Sequence, residues 1–357
     1  MTLFFHTHLY LIGIVAFLLG LFGMPAIIAF ARQFNLTVKP NKRTSHVGEV
    51  PNVGGLNICM TFLLCFITFV VPFTRQVQFI ALGAMLMTII GFIDDVFELQ
   101  PLHKTIGELA VATILIVFAR LRITHLGGIF GLEEIGIFWG SVLSFVVFFA
   151  IVNAVNLIDG VDGLASGLGI VFFLFFAVYF YLTWQLIYAI LSIIMIGSLF
   201  IFFFYNVFGR SKRKIFMGDS GSLLLGYLLT ANVFHFCELN TQHLINESYV
   251  FAAPHATCIC LLSIPIFDAI RVSLVRVIHH KNPFLPDKNH IHHLFLTLDC
   301  THVQTTLIIL AMCMIFILFA VWAQKWGFWA VFSVDLLLYL LFVGVTKWLI
   351  KKRSKTT

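Results

Sequence analysis

The chain has 357 residues, of which 60% are hydrophobic and only 11% are charged, and its mean hydropathy is +1.01. A soluble domain carries about 25% charged residues, so this composition excludes a soluble protein, and it equally excludes a disordered or collagen-like chain. The 7 cysteines are scattered without a Cys-x-x-Cys pair, which excludes a disulfide scaffold. The composition therefore predicts a polytopic membrane protein.

Apolar segments long enough to cross a bilayer recur along the whole chain. A window of about 19 residues predicts about eleven transmembrane helices, in the ranges 9–30, 54–73, 76–93, 105–120, 136–158, 164–182, 184–204, 221–236, 249–270, 305–323 and 327–350. The fourth and eighth ranges are close to the lower length limit, so about ten spans remain an alternative. Backbone groups must be satisfied inside lipid, and the alternation of a barrel is absent. We predict an all-α membrane protein that forms a single domain, residues 1–357.

The lysines and arginines predict how the chain is oriented. If the N-terminus is periplasmic, all but four of the 22 basic residues fall on the cytoplasmic side, the exceptions being Arg75, Arg120, Arg122 and Lys325. The positive-inside rule therefore predicts a periplasmic N-terminus and a cytoplasmic C-terminus. The first apolar range is too long for a cleavable signal peptide and no basic residue precedes it, so we expect it to remain as the first span.

The aspartates are distributed as unevenly as the basic residues. Every aspartate except Asp335 falls in or beside a cytoplasmic loop, namely Asp94, Asp95, Asp159, Asp162, Asp219, Asp268, Asp287 and Asp299. Acidic residues contribute little to topology, so membrane insertion does not explain this clustering. We expect a reaction site at the cytoplasmic surface. A transporter, the alternative class of function, would more often place ionisable residues near the bilayer midplane.

Two groups of acids follow predicted spans. Asp94 and Asp95 end the third span, where adjacent carboxylates indicate a Mg²⁺ ligand or a general base, although a solvated helix end is an equally good interpretation. The stretch 153–163 ends the fifth span, and its polar residues are Asn153, Asn156, Asp159 and Asp162. An Asp-Gly pair is ordinary turn chemistry, but two aspartates and two asparagines in one turn favour a functional site.

A third group precedes the eighth span, where Asn206 is followed by a basic run and by Gly-Asp-Ser-Gly-Ser at 218–222. We expect Asp219 or Ser220 to be the N-cap of this helix and to leave its first N–H groups free for a phosphate. Asp219 would then be a Mg²⁺ ligand, because Mg²⁺ usually takes one or two carboxylates together with substrate phosphates. The basic run is explained equally well as a topogenic signal.

Histidines and further basic residues occupy two other cytoplasmic loops. His290, His292 and His293 could bind Zn²⁺, donate to phosphate oxygens or exchange protons, and the many oxygen ligands elsewhere in the chain favour Mg²⁺ over Zn²⁺ as its metal. The first cytoplasmic loop offers phosphate or lipid head groups the residues Lys39, Arg43 and His46. For the basic residues of that loop, a topogenic role is the alternative.

Taken in order, four of these motifs resemble the polyprenyl-phosphate N-acetylhexosamine-1-phosphate transferase family over nearly the whole chain. They are Asp94-Asp95, Asn-Leu-Ile-Asp-Gly-Val-Asp-Gly at 156–163, Phe-Met-Gly-Asp-Ser-Gly-Ser at 216–222 and His-Ile-His-His at 290–293. The first loop and the interrupted histidines look most like the members that use UDP-N-acetylglucosamine. The muramoyl-pentapeptide relatives tend to have three consecutive histidines in that loop.

The resemblance implies an activity, its partners and a location. N-acetylglucosamine 1-phosphate would pass from UDP-N-acetylglucosamine to undecaprenyl phosphate with release of UMP, in the presence of Mg²⁺ or Mn²⁺. The enzyme would lie in the bacterial cytoplasmic (inner) membrane, act at its cytoplasmic face and start O-antigen or related polysaccharide synthesis. No nucleic acid is implied, a homodimer is left open, and another UDP-N-acetylhexosamine is an alternative substrate. Phosphoryl transfer mainly requires positioning and charge neutralisation, which suits acids and bases gathered on one face.

The resemblance also implies roles for individual residues. Asp219 would hold the metal, Asp94 or Asp95 would deprotonate the lipid phosphate or assist with the metal, and Asp159 and Asp162 would line the site. The residues implied to contact phosphate, nucleotide or sugar are Lys39, Arg43, His46, Lys104, Asn153, Asn156, Asn206, His290, His292 and His293. Family members frequently have a lysine close to the aspartate pair, whereas this chain has Glu98 there, and its nearest lysine is Lys104.

Overall fold

The structure is a computed structural model that describes residues 8–38, 49–70, 74–210, 212–280 and 289–354. Its helices are α1 (Leu9–Gln33), α2 (Gly54–Phe69), α3 (Arg75–Phe97), α4 (Pro101–Thr113), α5 (Gly136–Ile158), α6 (Leu164–Leu182), α7 (Leu186–Phe208), α8 (Gly218–Thr241), α9 (Pro254–Leu261), α10 (Ser263–Ile278), α11 (Ile291–Thr297), α12 (His302–Ala323) and α13 (Phe328–Arg353). A π-helical turn, Ile114–Phe118, extends α4. Short 3₁₀ turns lie at Glu247–Tyr249 and Gln324–Trp326.

The described residues contain only two antiparallel hairpins besides the helices. In the first, β1 (Thr37–Val38) pairs with β2 (Val50–Pro51), so that Thr37 lies opposite Pro51. In the second, β3 (His125–Ile129) pairs with β4 (Leu132–Glu134) between α4 and α5. The prediction of an all-α polytopic membrane protein is therefore confirmed.

The length and composition of each helix decide whether it can cross a membrane. Among the described residues, nine helices are long and apolar enough to cross a membrane. A tenth span results if the helices on either side of Leu262 count as one, since they meet at a bend of 58°. The 16-residue α2 is shorter than this measure requires, although it lies where a span is predicted. The number eleven and the orientation of the termini stay predictions.

Helix α8 lies at the centre of the bundle and is packed against α2, α3 and α5. Every residue from Ser220 to Phe234 is buried. Two glycines allow neighbouring backbones to reach its first turn, because a Cβ on Gly55 would lie 2.1 Å from the Gly221 nitrogen and one on Gly91 would lie 2.4 Å from the Asp219 carbonyl. The first turn of α8 is thereby fixed between the start of α2 and the end of α3.

Three predicted boundaries differ from the observed ones where polar residues continue a helix. Helix α3 ends at Phe97, beyond the predicted 93, so Asp94 and Asp95 lie inside its last turn. Helix α4 begins at Pro101, which places Lys104 in its first turn. Helix α8 begins at Gly218, three residues before the predicted start. Hydropathy misses these terminal turns because they contain polar residues, and the ends of a helix are its least sharply defined part.

Candidate active site

A polar cavity of about 520 Å³ opens where α5 ends and α8 begins. Six of the residues predicted from sequence line it, namely Asn156, Asp159, Asp162, Asn206, Asp219 and His293. Side chains from four different segments therefore meet in one place, as expected for a binding site. Lys39, Arg43 and His46 lie outside the residues that the structure describes.

Lys104 joins the aspartate pair to the start of α8. Its ammonium lies 2.9 Å from Asp94 Oδ2 and also forms an ion pair with the carboxylate of Asp219. The second oxygen of Asp94 accepts a hydrogen bond of 2.7 Å from the Leu99 N–H, which closes the turn between α3 and α4. Two carboxylates 125 residues apart in sequence thus share one cation. The structure places Lys104 between Asp94 and Asp219.

Asp95 has a different environment from its neighbour. Its carboxylate accepts hydrogen bonds from the N–H groups of Asp219, at 2.8 Å, and of Ser220, at 3.0 Å, and from the side chain of Asn52 at 3.0 Å. Asp95 therefore satisfies the first N–H groups of α8 from another helix.

The expected N-cap of α8 is consequently wrong. Met217 occupies the N-cap position and makes no side-chain capping bond, while Asp219 and Ser220 lie inside the helix. The expectation that the first N–H groups stay free for a phosphate is also wrong for these two residues, because Asp95 accepts from both. A tertiary contact has taken the place of the local cap that the Gly-Asp-Ser-Gly-Ser pattern suggested.

The two asparagines of α5 differ in what they contact. Asn156 donates to Asp219 Oδ1 at 3.1 Å and to the Ser222 hydroxyl at 2.9 Å, so both oxygens of Asp219 are bound by side chains. Asn153 lies one turn earlier, outside the cavity lining, and donates to the Phe149 carbonyl at 2.9 Å and to Glu108 Oε2 at 3.4 Å. Only Asn156 is therefore placed to contact a molecule in the cavity.

The turn between α5 and α6 carries two aspartates with opposite electrostatic environments. Burial, together with the charges of Asp219, Asp95 and Asp162, raises the pKa of Asp159 to about 7. Burial alone would raise the pKa of Asp162 as well, but hydrogen bonds from His302 and Lys214 lower it below its usual value. Asp162 is therefore an anion at neutral pH, whereas Asp159 can gain or lose a proton there.

Asn206 supports this turn from α7. Gly163, at a φ of +78°, donates its N–H to Asn206 Oδ1 at 2.6 Å. The amide group of Asn206 in turn donates to the Ile215 carbonyl at 2.8 Å. Lys214 donates to Asp162 Oδ2 at 2.6 Å, and the Thr306 hydroxyl donates to the Asp162 carbonyl at 2.8 Å. The turn is thus held by side chains from α7, from α12 and from the segment before α8.

The three predicted histidines separate in the structure. His290 is buried, and its Nδ1 lies 2.8 Å from Asp268 Oδ2. His292 is also buried, packed so closely that a Cβ on Gly160 would lie 2.3 Å from its Nε2, and burial lowers its pKa to about 3. His293 alone lines the cavity. His290 and His292 are accordingly placed to fix the loop, and only His293 is placed to contact a ligand.

Asp268 on α10 anchors this loop and was not singled out for a role from sequence. Its buried carboxylate accepts from the Arg271 guanidinium at 2.6 Å, from the Tyr339 hydroxyl at 3.2 Å and from the Ile291 N–H at 3.1 Å. Helices α10, α11 and α13 are therefore tied together below His293. Arg271 lies three residues away on the same helix, but no local sequence pattern predicts the contacts with Ile291 and Tyr339, because these residues come from distant segments.

Four other residues of the site were missed from sequence. Glu108 lies one helical turn after Lys104, is 2% exposed, and its Oε1 has no hydrogen-bond partner within the described segments. Its spacing of four residues from Lys104 is a signal that could have identified it. Lys214 was assigned to a basic run, and Asn52 and His302 carry no signal beyond their polarity.

The oxygen donors here suit a hard divalent cation. In the segments that the structure describes, no three His, Cys, Asp or Glu side chains are grouped closely enough to hold a metal by themselves. Asp94 and Asp219 nevertheless already bracket a cation, the Lys104 ammonium. Mg²⁺ requires few protein carboxylates when substrate phosphates and water complete its coordination, so the donor set fits Mg²⁺ better than structural Zn²⁺.

Comparison with known proteins identifies the family to which the chain is similar. Residues 77–236, which contain Asp94, Lys104, Asp159 and Asp219, match the model of glycosyl transferase family 4. The chain is 31% identical over 287 residues to an undecaprenyl-phosphate alpha-N-acetylglucosaminyl 1-phosphate transferase of Escherichia coli K12, covering 78% of this chain and 74% of that protein.

Two further relatives extend the match along the chain. An enzyme with the same name from Escherichia coli O157:H7 is 30% identical over 87% of this chain and 84% of its own length. A probable undecaprenyl-phosphate N-acetylglucosaminyl 1-phosphate transferase of Bacillus subtilis is 28% identical over 92% of this chain and 88% of its own length. The chain therefore belongs to glycosyl transferase family 4, among the membrane-embedded polyprenyl-phosphate sugar-1-phosphate transferases.

Proposed function

We propose that the protein transfers N-acetylglucosamine 1-phosphate from UDP-N-acetylglucosamine to undecaprenyl phosphate and releases UMP. The observation that carries this proposal is the Asp94–Lys104–Asp219 cluster beside the polar cavity at one end of the helical bundle. A nucleotide diphosphate and a lipid phosphate must meet at a membrane surface, and charge neutralisation is the main catalytic requirement of phosphoryl transfer. The names of the relatives support the choice of both substrates.

The transfer breaks one bond and forms one. An oxygen of the lipid phosphate attacks the phosphorus that bears the sugar, and the bond from that phosphorus to the oxygen of UMP breaks. We assign Asp159, in place of Asp94 or Asp95, to receive a proton from the lipid phosphate. Of these three carboxylates only Asp159 lines the cavity, and its pKa is about 7, close to the operating pH. Asp162, held ionised by Lys214 and His302, keeps the turn that carries Asp159 in place.

Asp94 and Asp219 are the residues that we propose to hold Mg²⁺. When bound, this ion would neutralise negative charge on the diphosphate. Lys104 stabilises the two carboxylates before a substrate arrives and remains close enough to contact a phosphate oxygen. Asn156 orients Asp219, and His293 contacts the diphosphate or the sugar from the opposite wall of the cavity.

The location in the cell is part of the proposal. The distribution of basic residues supports a periplasmic N-terminus and a site on the cytoplasmic face of the bacterial inner membrane, where nucleotide sugars are made. The lipid-linked product would start the synthesis of O antigen or a related surface polysaccharide. The whole chain, 1–357, would act as one domain.

The test uses purified protein in detergent with undecaprenyl phosphate, Mg²⁺ and UDP-N-acetylglucosamine labelled with ³H in the sugar and ³²P in the β-phosphate. We expect both labels to enter the lipid phase in equal amounts, UMP to be released, and EDTA to stop the reaction. Release of UDP with ³H alone in the lipid would indicate ordinary glycosyl transfer. Preference for another UDP-sugar would correct the substrate, and Mg²⁺-independent passage of labelled lipid across vesicles without a nucleotide product would indicate a transporter.

A further inference from the structure

A second polar cavity, of about 310 Å³, lies at the opposite end of the bundle. Arg120 and Arg122 line it together with Gln76 at the start of α3 and Gln242 just after the end of α8. Helix α8 has 24 residues and spans about 36 Å, so this cavity is separated from Asp219 by roughly the thickness of a bilayer. It is a distinct site at the other membrane surface.

The two arginines lack partners in this cavity. Neither guanidinium forms a hydrogen bond or an ion pair with any residue in the described ranges. Arg120 is exposed and has a φ of +57°, a backbone conformation that is unfavourable for a residue with a side chain. After Phe118 the chain thus forms a constrained turn, which places the guanidinium groups of Arg120 and Arg122 beside the cavity.

The acidic residues of the cavity form no ion pair with these cations. Glu238 accepts from the Thr124 N–H at 2.6 Å, the Thr124 hydroxyl at 2.9 Å, the His125 N–H at 3.2 Å and the Gln242 side chain. Both of its oxygens are therefore occupied. Glu134, on β4, lines the cavity but forms no ion pair with either arginine, and the side chain of His125 faces Glu238 at 3.5 Å.

Arg120 and Arg122 lie at the end of the bundle where few basic residues are predicted. By the predicted topology, four of the 22 basic residues fall at this end of the bundle, and two of them, Arg120 and Arg122, line the same cavity. The positive-inside rule disfavours basic residues here if this end is periplasmic, so their presence is not a topogenic signal. Two guanidinium groups next to amide donors form a set that suits the oxygen atoms of a phosphate, to which arginine can donate two parallel hydrogen bonds.

We propose that Arg120 and Arg122 bind a phosphate group in this cavity, supplied by the head group of a phospholipid in the leaflet opposite the candidate active site. The side chain of Gln76, which donates one N–H to the Ala119 carbonyl at 3.3 Å, supplies its second N–H to a further phosphate oxygen. Free inorganic phosphate has the same chemistry and is the alternative source. The cavity lies beside the start of α5, where Ile137, Phe138 and Trp139 are exposed, so a lipid can place its phosphate inside while its tails lie against these residues.

The experiment uses the full chain in a detergent that contains no phosphate, and it compares phosphatidylglycerol, diacylglycerol with the same tails, and inorganic phosphate. We expect phosphatidylglycerol to raise the heat-denaturation midpoint by several degrees and to remain bound in native mass spectrometry. Diacylglycerol should do neither. If inorganic phosphate alone gives the same stabilisation, the phosphate site stands and its source is the free ion.

The variant Arg120→Gln/Arg122→Gln should weaken the binding of phosphatidylglycerol at least tenfold. The matched control Arg75→Gln/Lys325→Gln removes the other two cations of the same end and should bind as the wild type does. Equal binding by both double variants, or equal stabilisation by diacylglycerol, would overturn the proposal. Far-ultraviolet circular dichroism and lipid-free elution volume show whether each variant is folded. Transferase activity does not enter this readout, so the result is independent of the proposed function.

Discussion

The two ends of α8 each place a carboxylate among polar partners, but only the carboxylate near the end of the helix also accepts hydrogen bonds from backbone N–H groups. Asp219, at the start, accepts from the side chains of Lys104 and Asn156 and lines the large cavity. Glu238, near the end, accepts from the backbone N–H groups of Thr124 and His125. Side-chain donors can move when a ligand arrives, whereas the backbone of a loop cannot move without unfolding it. The first arrangement suits chemistry and the second suits stability.

The largest expected effect is on the transfer rate, and it distinguishes the role of Asp219 from that of Glu238. Asp219→Asn should lower the rate of sugar-phosphate transfer by about 10²- to 10³-fold, because it removes a charge that we assign to holding the metal and the substrate. The isosteric change at the other end, Glu238→Gln, should leave turnover per folded molecule within about twofold. Both rates are measured by UMP release from purified protein. If Asp219→Asn kept more than a tenth of the activity, Asp219 would lose its assigned role.

A substitution of Lys104 tests whether Asp94 and Asp219 bind the metal ion. Lys104→Gln should lower transfer about 10²-fold yet bind Mn²⁺, used as a spectroscopic substitute for Mg²⁺, about tenfold more tightly, since the ammonium no longer competes for Asp94 and Asp219. Electron paramagnetic resonance of Mn²⁺ without substrate gives the affinity. Lys214→Gln is the control, because Lys214 pairs with Asp162 and should not change the affinity. Weaker binding by Lys104→Gln would mean that the cation lies elsewhere.

A feature of the fold or of the site could be predicted from the sequence when it depends on neighbouring residues of one segment. Hydropathy locates the helices because each span is decided by its own residues. It also places the aspartates and histidines of the four motifs at one end, because each of these motifs follows or precedes a span. The fold class and the general position of the site were therefore predictable.

The different roles of the residues within one motif were not predictable. Asp94 and Asp95 are adjacent, yet one faces Lys104 and the other caps α8, because successive helical residues point in different directions. The three histidines divide for a related reason, since His290 precedes α11 and is bound by Asp268, whereas His293 lies in its first turn. These roles depend on partners that are distant in sequence, which no motif contains.

Removing the carboxylate from the other end of α8 should affect stability instead of chemistry. Glu238→Ala leaves the N–H groups of Thr124 and His125 without their acceptor, which costs about 2–3 kcal/mol. The heat-denaturation midpoint should fall by roughly 5 °C, as followed by size-exclusion chromatography of heated samples. Asp219→Ala is the control and should denature within about 2 °C of the wild type. A larger loss for Asp219→Ala would reverse the assignment of roles to the two ends.

The smallest effect concerns Asp159 and depends on pH. Its pKa is about 7 in the folded protein and about 3.9 in an unfolded chain, so the folded state binds the additional proton between these values. The stability that this proton contributes is complete below the unfolded pKa and is lost as the pH rises through about 7. Asp159→Asn has no such loss. Without metal or substrate, the variant should therefore gain a few degrees in midpoint relative to the wild type between pH 5 and pH 8.

Asp162 should show the opposite dependence, which makes it the matched control. Hydrogen bonds from His302 and Lys214 hold its folded pKa below the unfolded value, so its contribution is present above the unfolded pKa and disappears on acidification. Asp162→Asn should therefore be less stable than the wild type at pH 7, and the difference should shrink toward pH 3. A constant difference across the pH range for both variants would mean that neither carboxylate changes its proton affinity on folding. The turn would then be held by geometry alone, and Asp159 would have no basis for accepting a proton from the lipid phosphate.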